Sequence, residues 1–240
     1  MKHLGKVAVL LGGDSSEREV SLLSGAEVHQ GLLQAGVDAH LYDTQKQSLF
    51  DLKKQGFERV FIVLHGGAGE DGRVQAVLET MGLPYTGCGM LASGLGMDKL
   101  RSKMIWQAAG LPVPEFAVLQ DDTDFDAVEK TLGLPLFVKP AAEGSSVGVV
   151  KVTEKGTLAE VYQDLKQYRG AIIAERFIGG GEYTCGILGF EALPTIKIIP
   201  KTEFYDYEAK YFRDDTEYLC PADLTDADES LMRQLALQAF

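Results

Sequence analysis

Cysteine, basic charge and long apolar runs are all scarce in this 240-residue chain. The three cysteines, Cys88, Cys185 and Cys220, are odd in number, far apart and form no Cys-x-x-Cys pair. That pattern fits reduced thiols in a cytosol better than a disulfide framework or a zinc site, and the three are read as core or incidental residues. Only 23 Lys and Arg face 35 Asp and Glu, for a formal net charge of -12. Nonspecific binding to nucleic acid or to an anionic membrane needs a basic footprint, so neither is expected as a partner. Any phosphate site must be a local cluster of lysines working against the global field. The apolar run at residues 7–11 gives way to Gly12-Gly13 and is too short for the core of a signal peptide. No run approaches the length of a bilayer. A soluble, cytoplasmic protein is the expectation. A Walker loop is missing too, because Gly-x4-Gly-Lys-Ser/Thr does not occur.

What is present is an ordinary globular composition, 45% apolar and 24% charged, in a chain longer than one average domain. Residues 6–13 read as a continuous hydrophobic strand ending in two glycines, as in a parallel sheet covered on both faces. Ser16-Glu-Arg-Glu19 fits a capping box for a helix running to Gly36, with Leu22, Leu23, Ala26, Leu32 and Leu33 inward. Strands follow at 37–42 and 59–65. Val74, Val77, Leu78 and Met81 recur at helical spacing, and 83–87 returns as a short strand. This alternation predicts a doubly wound parallel α/β domain over residues 1–92, with ligands beyond the carboxyl ends of its strands. Gly12, Gly13, Glu17, His65 and Gly66 sit there. Gly87-x-Gly89 with Ala92 imitates part of a dinucleotide fingerprint, but no acidic residue follows at the required distance.

A helix capped by Asp98 is expected to carry Leu100, Met104 and Ile105 to Gly110, and 111–114 is a stiff proline-containing connector. Strands at 116–119, 134–138, 149–152 and 171–177, with helices at 125–132 and 158–168, make an α+β unit. After the glycine hinge at 179–181 come strands 183–188 and 193–199, an irregular loop over 204–218, and a helix capped by Thr225 with Leu231 and Leu235 one turn apart. The expected organisation is residues 1–92, then 93–177 and 178–240 as two α+β lobes. The last lobe reads as truncated, because the chain stops while a helix is running.

Chemistry gathers in the middle. The strand 134–138 delivers Lys139 and Pro140, with Pro140 expected to stop the pairing. The segment Glu143-Gly144-Ser145-Ser146-Val147-Gly148 then has small residues around two hydroxyls. One reading is a hairpin with a glycine-rich turn and a surface lysine. The other is an ammonium at a fixed point and a flap of amide donors over phosphate oxygens. Lys99, Lys139 and Lys210 are each a plain solvated charge when taken singly. With Glu175 and Glu182 bracketing the hinge, they outline a nucleotide cleft between two lobes. Glu17, at a helix start, is either a dipole partner or a ligand for an ammonium.

The segments Leu10-Leu-Gly-Gly-Asp-Ser-Ser-Glu-Arg-Glu-Val-Ser21, Leu64-His-Gly-Gly-Ala-Gly-Glu-Asp-Gly72, Pro84-Tyr-Thr-Gly87, Met97-Asp-Lys-Leu-Arg-Ser-Lys103, Val138-Lys-Pro-x-x-Glu-Gly-Ser-Ser-Val-Gly148 and Tyr205-Asp-Tyr-Glu-Ala-Lys-Tyr211 resemble, in order and spacing, those of D-alanine–D-alanine ligases of the ATP-grasp superfamily. The resemblance implies an ATP-grasp fold of two α+β lobes behind the N-terminal domain. It also implies a cytoplasmic, homodimeric ligase that joins two D-alanines using ATP with Mg²⁺ or Mn²⁺. By the same implication Lys99, Lys139 and Lys210 meet the phosphates under the loop of Glu143, Gly144, Ser145 and Ser146. Glu175, Arg176, Phe177 and Ile178 face adenine, and Glu182 faces ribose. Glu17, Val20 and His65 bind the first D-alanine, with Lys210 and Tyr211 also on the substrate. Glu17, Ser145, Tyr211 and Lys210 are the catalytic set, in which Ser145 and Tyr211 hydrogen-bond with Glu17. No metal ligand is assigned; metal-binding acids and an oxyanion-supporting arginine are expected beyond residue 240. A ligase making D-alanyl-D-lactate or another D-alanyl product, or a non-catalytic nucleotide-binding module, are the alternatives.

Overall fold

An uninterrupted apolar strand has to be covered on both sides, and β1 (Val7–Leu11) is buried at all five positions in the computed structural model. Residues 4–202, 204–205, 209–210 and 213–240 are described, in two units, Met1–Asp98 and Lys99–Phe240. In the first, β1 is the centre of a three-stranded parallel sheet, between β2 (Ala39–Asp43) and β3 (Arg59–Ile62). Ala8 and Leu10 pack on one face with Tyr42, Val60, Val74 and Leu78, the last two from helix α2 (Arg73–Met81). Val9 packs on the other with Val28 and Leu32 of helix α1 (Arg18–Gln34). Helix α3 (Met90–Gly96) was not foreseen from the sequence. The expected strand at 83–87 reduces to one parallel bridge, Val60 to Tyr85.

The face that α1 turns inward matches the expected leucine stripe only in part, through Leu32. Ser21 and Gly25 are its buried residues, whereas Leu23 is 71% exposed and Leu33 and Ala26 are exposed as well. The reason is close approach: a Cβ on Gly25 would lie 2.6 Å from Leu11 Cβ. The Ser21 hydroxyl donates to Val63 O at 2.6 Å and accepts from Gly12 N–H at 2.9 Å, stitching helix to sheet. The capping box does not form. Glu17 occupies the N-cap without a side-chain capping bond, and the Ser15 hydroxyl instead accepts from Glu17 N–H and donates to His65 O at 2.6 Å.

Arg18 grips Asp43 through two bonds of 2.9 and 2.7 Å, holding that carboxyl at about 2, below its usual value. A depressed carboxyl contributes stability above its unfolded pKa and loses it as pH falls through the folded one. Screening by solvent limits the contribution to about 1 kcal/mol. Acid unfolding between pH 4 and pH 2, followed by circular dichroism, should therefore lose this increment in the wild type; in Arg18→Met it should be missing already at pH 6.

In the second unit an antiparallel sheet runs β4 (Phe116–Leu119), β7 (Ile172–Arg176), β5 (Leu136–Pro140), β6 (Val150–Val152). Side chains alternate across it. Leu119, Leu136, Val138, Val152, Ile172 and Ala174 form a core with helices α5 (Phe125–Leu132) and α6 (Leu158–Leu165). The buried Glu129 carboxylate accepts from Gly156 and Leu158 N–H, tying α5 to the start of α6. Lys139 lies inside β5 rather than past its end. Pairing with β6 stops at Val138, as a proline after Lys139 suggests, but pairing with β7 continues through Pro140 to Ile172.

A second sheet joins β8 (Glu182–Thr184), β11 (Ile196–Ile199) and β12 (Glu217–Leu219), beside a small hairpin of β9 (Ile187–Leu188) and β10 (Glu191–Ala192). The expected strand 183–188 thus splits in two, and β12 lies in a stretch read as irregular. The strand expected from residue 193 starts at Ile196, because Pro194 has no N–H and that of Thr195 goes to Glu229. Helix α4 (Lys99–Ala108) buries Ser102 and Lys103, leaving Met104 57% exposed and Ile105 exposed too. Helix α7 (Asp226–Ala239) has its Thr225 cap, with Leu231 exposed and no residue fully buried. None of the three cysteines is a core residue. No described helix is long and apolar enough to cross a membrane.

Candidate functional site

The face of the β4-β7-β5-β6 sheet turned away from α5 and α6 carries Phe116, Phe137, Lys139, Lys151 and Glu175, which the two-residue period places together. It floors a cavity of ≈ 380 Å³, also lined by Lys99, Ser145, Ser146, Glu182, Tyr205 and Lys210. Glu175 is 8% exposed. One of its oxygens pairs with Lys139, and the other lies 2.6 Å from Lys103 Nζ. Burial alone would raise the Glu175 carboxyl, but the ammonium groups of Lys139 and Lys103 override it and hold the pKa below the usual value. Aromatic rings complete the floor, with Phe137 centred 5.8 Å from Phe177 and 5.4 Å from Phe204.

The loop after β5 folds over this floor through two serines in the left-handed region, Ser145 at φ 51° and Ser146 at φ 62°. Glycine is indispensable at Gly148 (φ 69°), where a Cβ would meet Pro140 Cγ at 2.9 Å. Ser146 receives a hydrogen bond from Lys210 Nζ at 3.0 Å and donates to Tyr205 O at 3.1 Å. Lys99 Nζ donates to the Glu143 carbonyl, so its ammonium meets the loop backbone. Burial, and then the charge of Lys139, push the Lys99 pKa down. Ammonium groups gathered in this way suit the oxygens of a phosphate chain.

In the first unit Glu17 is buried against Gly66, whose φ of 64° and missing Cβ make room: a Cβ there would be 2.4 Å from Glu17 Oε2. His65, past the end of β3, has a buried Nε2 with no hydrogen-bond partner among the described residues. Gly12, Gly13, Ser15, His65 and Gly66 line a small hollow there. Val20 is half-buried on α1. An acidic group and an imidazole at the carboxyl end of a parallel sheet suit a small zwitterion.

The second unit thus brings Lys99, Lys139, Gly144, Ser145, Ser146, Glu175, Arg176, Ile178, Glu182 and Lys210 to one cavity, while Phe177 packs on Phe137 beside it. Arg176 sends its guanidinium to Glu115 at 2.5 Å, and Glu143 contributes its carbonyl. Tyr211 lies outside the described residues. Sequence reasoning missed Lys103 and the sharing of Glu175 between two lysines. The signal was available, since Lys99 and Lys103 are four apart on one helix face. Among the described residues no group of three or more His, Cys, Asp or Glu converges.

Fold and cavity together are those of an ATP-grasp protein. The family model described as D-ala D-ala ligase C-terminus matches residues 105–240, and that described as D-ala D-ala ligase N-terminus matches residues 45–88. A D-alanine–D-alanine ligase of Neisseria gonorrhoeae is 64% identical over 239 residues, 99% of this chain and 79% of the relative. Among solved structures, the D-alanine–D-alanine ligase of Bacillus anthracis complexed with ATP matches at a TM-score of 0.82 and 31% identity, over 98% of this chain and 76% of that one. The VanG D-Ala:D-Ser ligase of Enterococcus faecalis matches at 0.79 and 27%, over 98% and 81%. The chain belongs to the D-alanine–D-alanine ligase family.

Proposed function

We propose that this chain catalyses the ATP-dependent joining of two D-alanines through a D-alanyl phosphate, giving D-alanyl-D-alanine for peptidoglycan precursors. The observation that carries the reading is the lysine-rich sheet face under a serine loop, in a chain 64% identical to such a ligase. A carboxylate is a poor electrophile. Transfer of the γ-phosphoryl group to it makes an acyl phosphate, and the amine of the second D-alanine then displaces phosphate. Both steps concentrate negative charge on phosphoryl oxygens, which Lys99, Lys139, Lys210 and the loop amides of residues 143–146 are suited to hold. A loop over the cavity also keeps water from the acyl phosphate.

In this proposal the 175–178 segment takes adenine and Glu182 the ribose hydroxyls. Glu17 receives the ammonium of the first D-alanine, with Val20 alongside, and the unpartnered His65 Nε2 meets its carboxylate. Ser145, Lys210 and Tyr211 are the remaining catalytic assignments. Mg²⁺ or Mn²⁺ would accompany the nucleotide and offset charge on its phosphates. A cytoplasmic homodimer completes the reading, and sedimentation tests its oligomeric part. Identity of 64% to a D-alanine–D-alanine ligase supports D-alanine as the second substrate.

The test is ADP and product release from ATP with D-alanine, L-alanine, or D-alanine plus D-lactate. ADP and D-alanyl-D-alanine should form with D-alanine and not with L-alanine. ATP binding with no ADP release would mark a non-catalytic module, and preferential ester formation near neutral pH would overturn the dipeptide. Glu17→Gln should raise the KM for D-alanine about tenfold by removing one charge-assisted bond, leaving ATP affinity unchanged; an unaltered D-alanine KM contradicts its role.

A further inference from the structure

Lys103 is a buried cation with no place in the reaction just described. It is 7% exposed, its ammonium sits 5.5 Å from the centre of the Phe116 ring, and its ion-pair partner is Glu175. Glu175 divides its two oxygens between unlike partners. Lys139, on one oxygen, lines the cavity; Lys103, on the other, does not and is walled in between α4 and the sheet. An anion entering the cavity draws Lys139 toward itself and away from the carboxylate. Were Lys139 the sole partner, that movement would strand a buried, unpaired carboxylate, and the cost would oppose ligand binding.

We infer that Lys103 is the resident counter-ion of Glu175, a positioning residue that keeps the carboxylate paired while Lys139 leaves it for a phosphate oxygen. The inference rests on the nucleotide reading of the cavity given above. It makes Glu175 a holder that presents Lys139 in the empty site and releases it in the filled one. Without Lys103, carboxylate and Lys139 depend on each other alone, and the nucleotide must break their pair.

ATP titrations of the full chain with Lys103→Met, Lys103→Arg, Glu175→Gln and the Lys103→Met/Glu175→Gln pair test this. Lys103→Met should weaken ATP binding about tenfold while the D-alanine KM stays within twofold, and Lys103→Arg should restore most of the loss. With the carboxylate neutralised, Lys103 has nothing left to hold. The double variant should therefore bind ATP within about twofold of Glu175→Gln alone, a comparison in which no carboxylate is stranded and which survives misfolding of Lys103→Met. Equal ATP affinity in wild type and Lys103→Met would overturn the inference, as would a full tenfold loss persisting in the Glu175→Gln background. Wild-type protein that fails to bind ATP would instead sink the nucleotide reading itself.

Discussion

Lys139→Ala is expected to lower ATP affinity about 100-fold, in line with a charge-assisted hydrogen bond to phosphate of up to about 3 kcal/mol. The side chain stands on β5 between two other strands, so its ammonium is placed before the ligand arrives and little ordering entropy offsets the contact. Glu175 keeps Lys103 when Lys139 is gone, so the fold should survive. Isothermal titration with ATP, beside a thermal melt, separates the two effects. An affinity within threefold of wild type would remove Lys139 from the phosphate site.

Gly25→Val should cost the first unit about 3 kcal/mol, at the upper end of overpacking penalties. The new Cβ would collide with Leu11 Cβ, on a strand buried at every position and paired on both edges, so neither side can retreat. Gly31, on the same helix, has nothing within 4 Å of its would-be Cβ. Gly31→Ala should accordingly stabilise the unit by up to about 1 kcal/mol. Urea unfolding of the two variants reads the difference, and equal midpoints would mean that α1 does not dock through Gly25.

The fold class was legible because its signals are periodic. A five-residue apolar run announces a strand covered on both faces, and Leu136-Phe-Val-Lys-Pro140 alternates core and cavity with period two. The inward faces of α1 and α4 were less legible, for a common reason. Hydrophobicity points leucine, methionine and isoleucine inward, and Leu32 does pack on the core, but the buried positions of α1 are Ser21 and Gly25 and those of α4 are Ser102 and Lys103. Close backbone approach selects small residues, and an ion pair can bury a lysine; hydrophobicity reports neither. The cavity lysines were visible as a set because the loop between Glu143 and Gly148 marks them. The link from Glu175 to Lys103 was not, since it joins residues far apart in sequence through a helix–sheet contact.

The sheet of the second unit has its core on one side and its cavity on the other, with β5 and β7 contributing to both. Inserting or deleting a single residue within either strand would exchange the two sets, sending Lys139 or Glu175 into the packed interior and leucine, valine or alanine onto the cavity floor. Length variation should therefore be tolerated in the connections between these strands and forbidden inside them. A scan of one-residue insertions would find stability and nucleotide binding lost together, at the same positions.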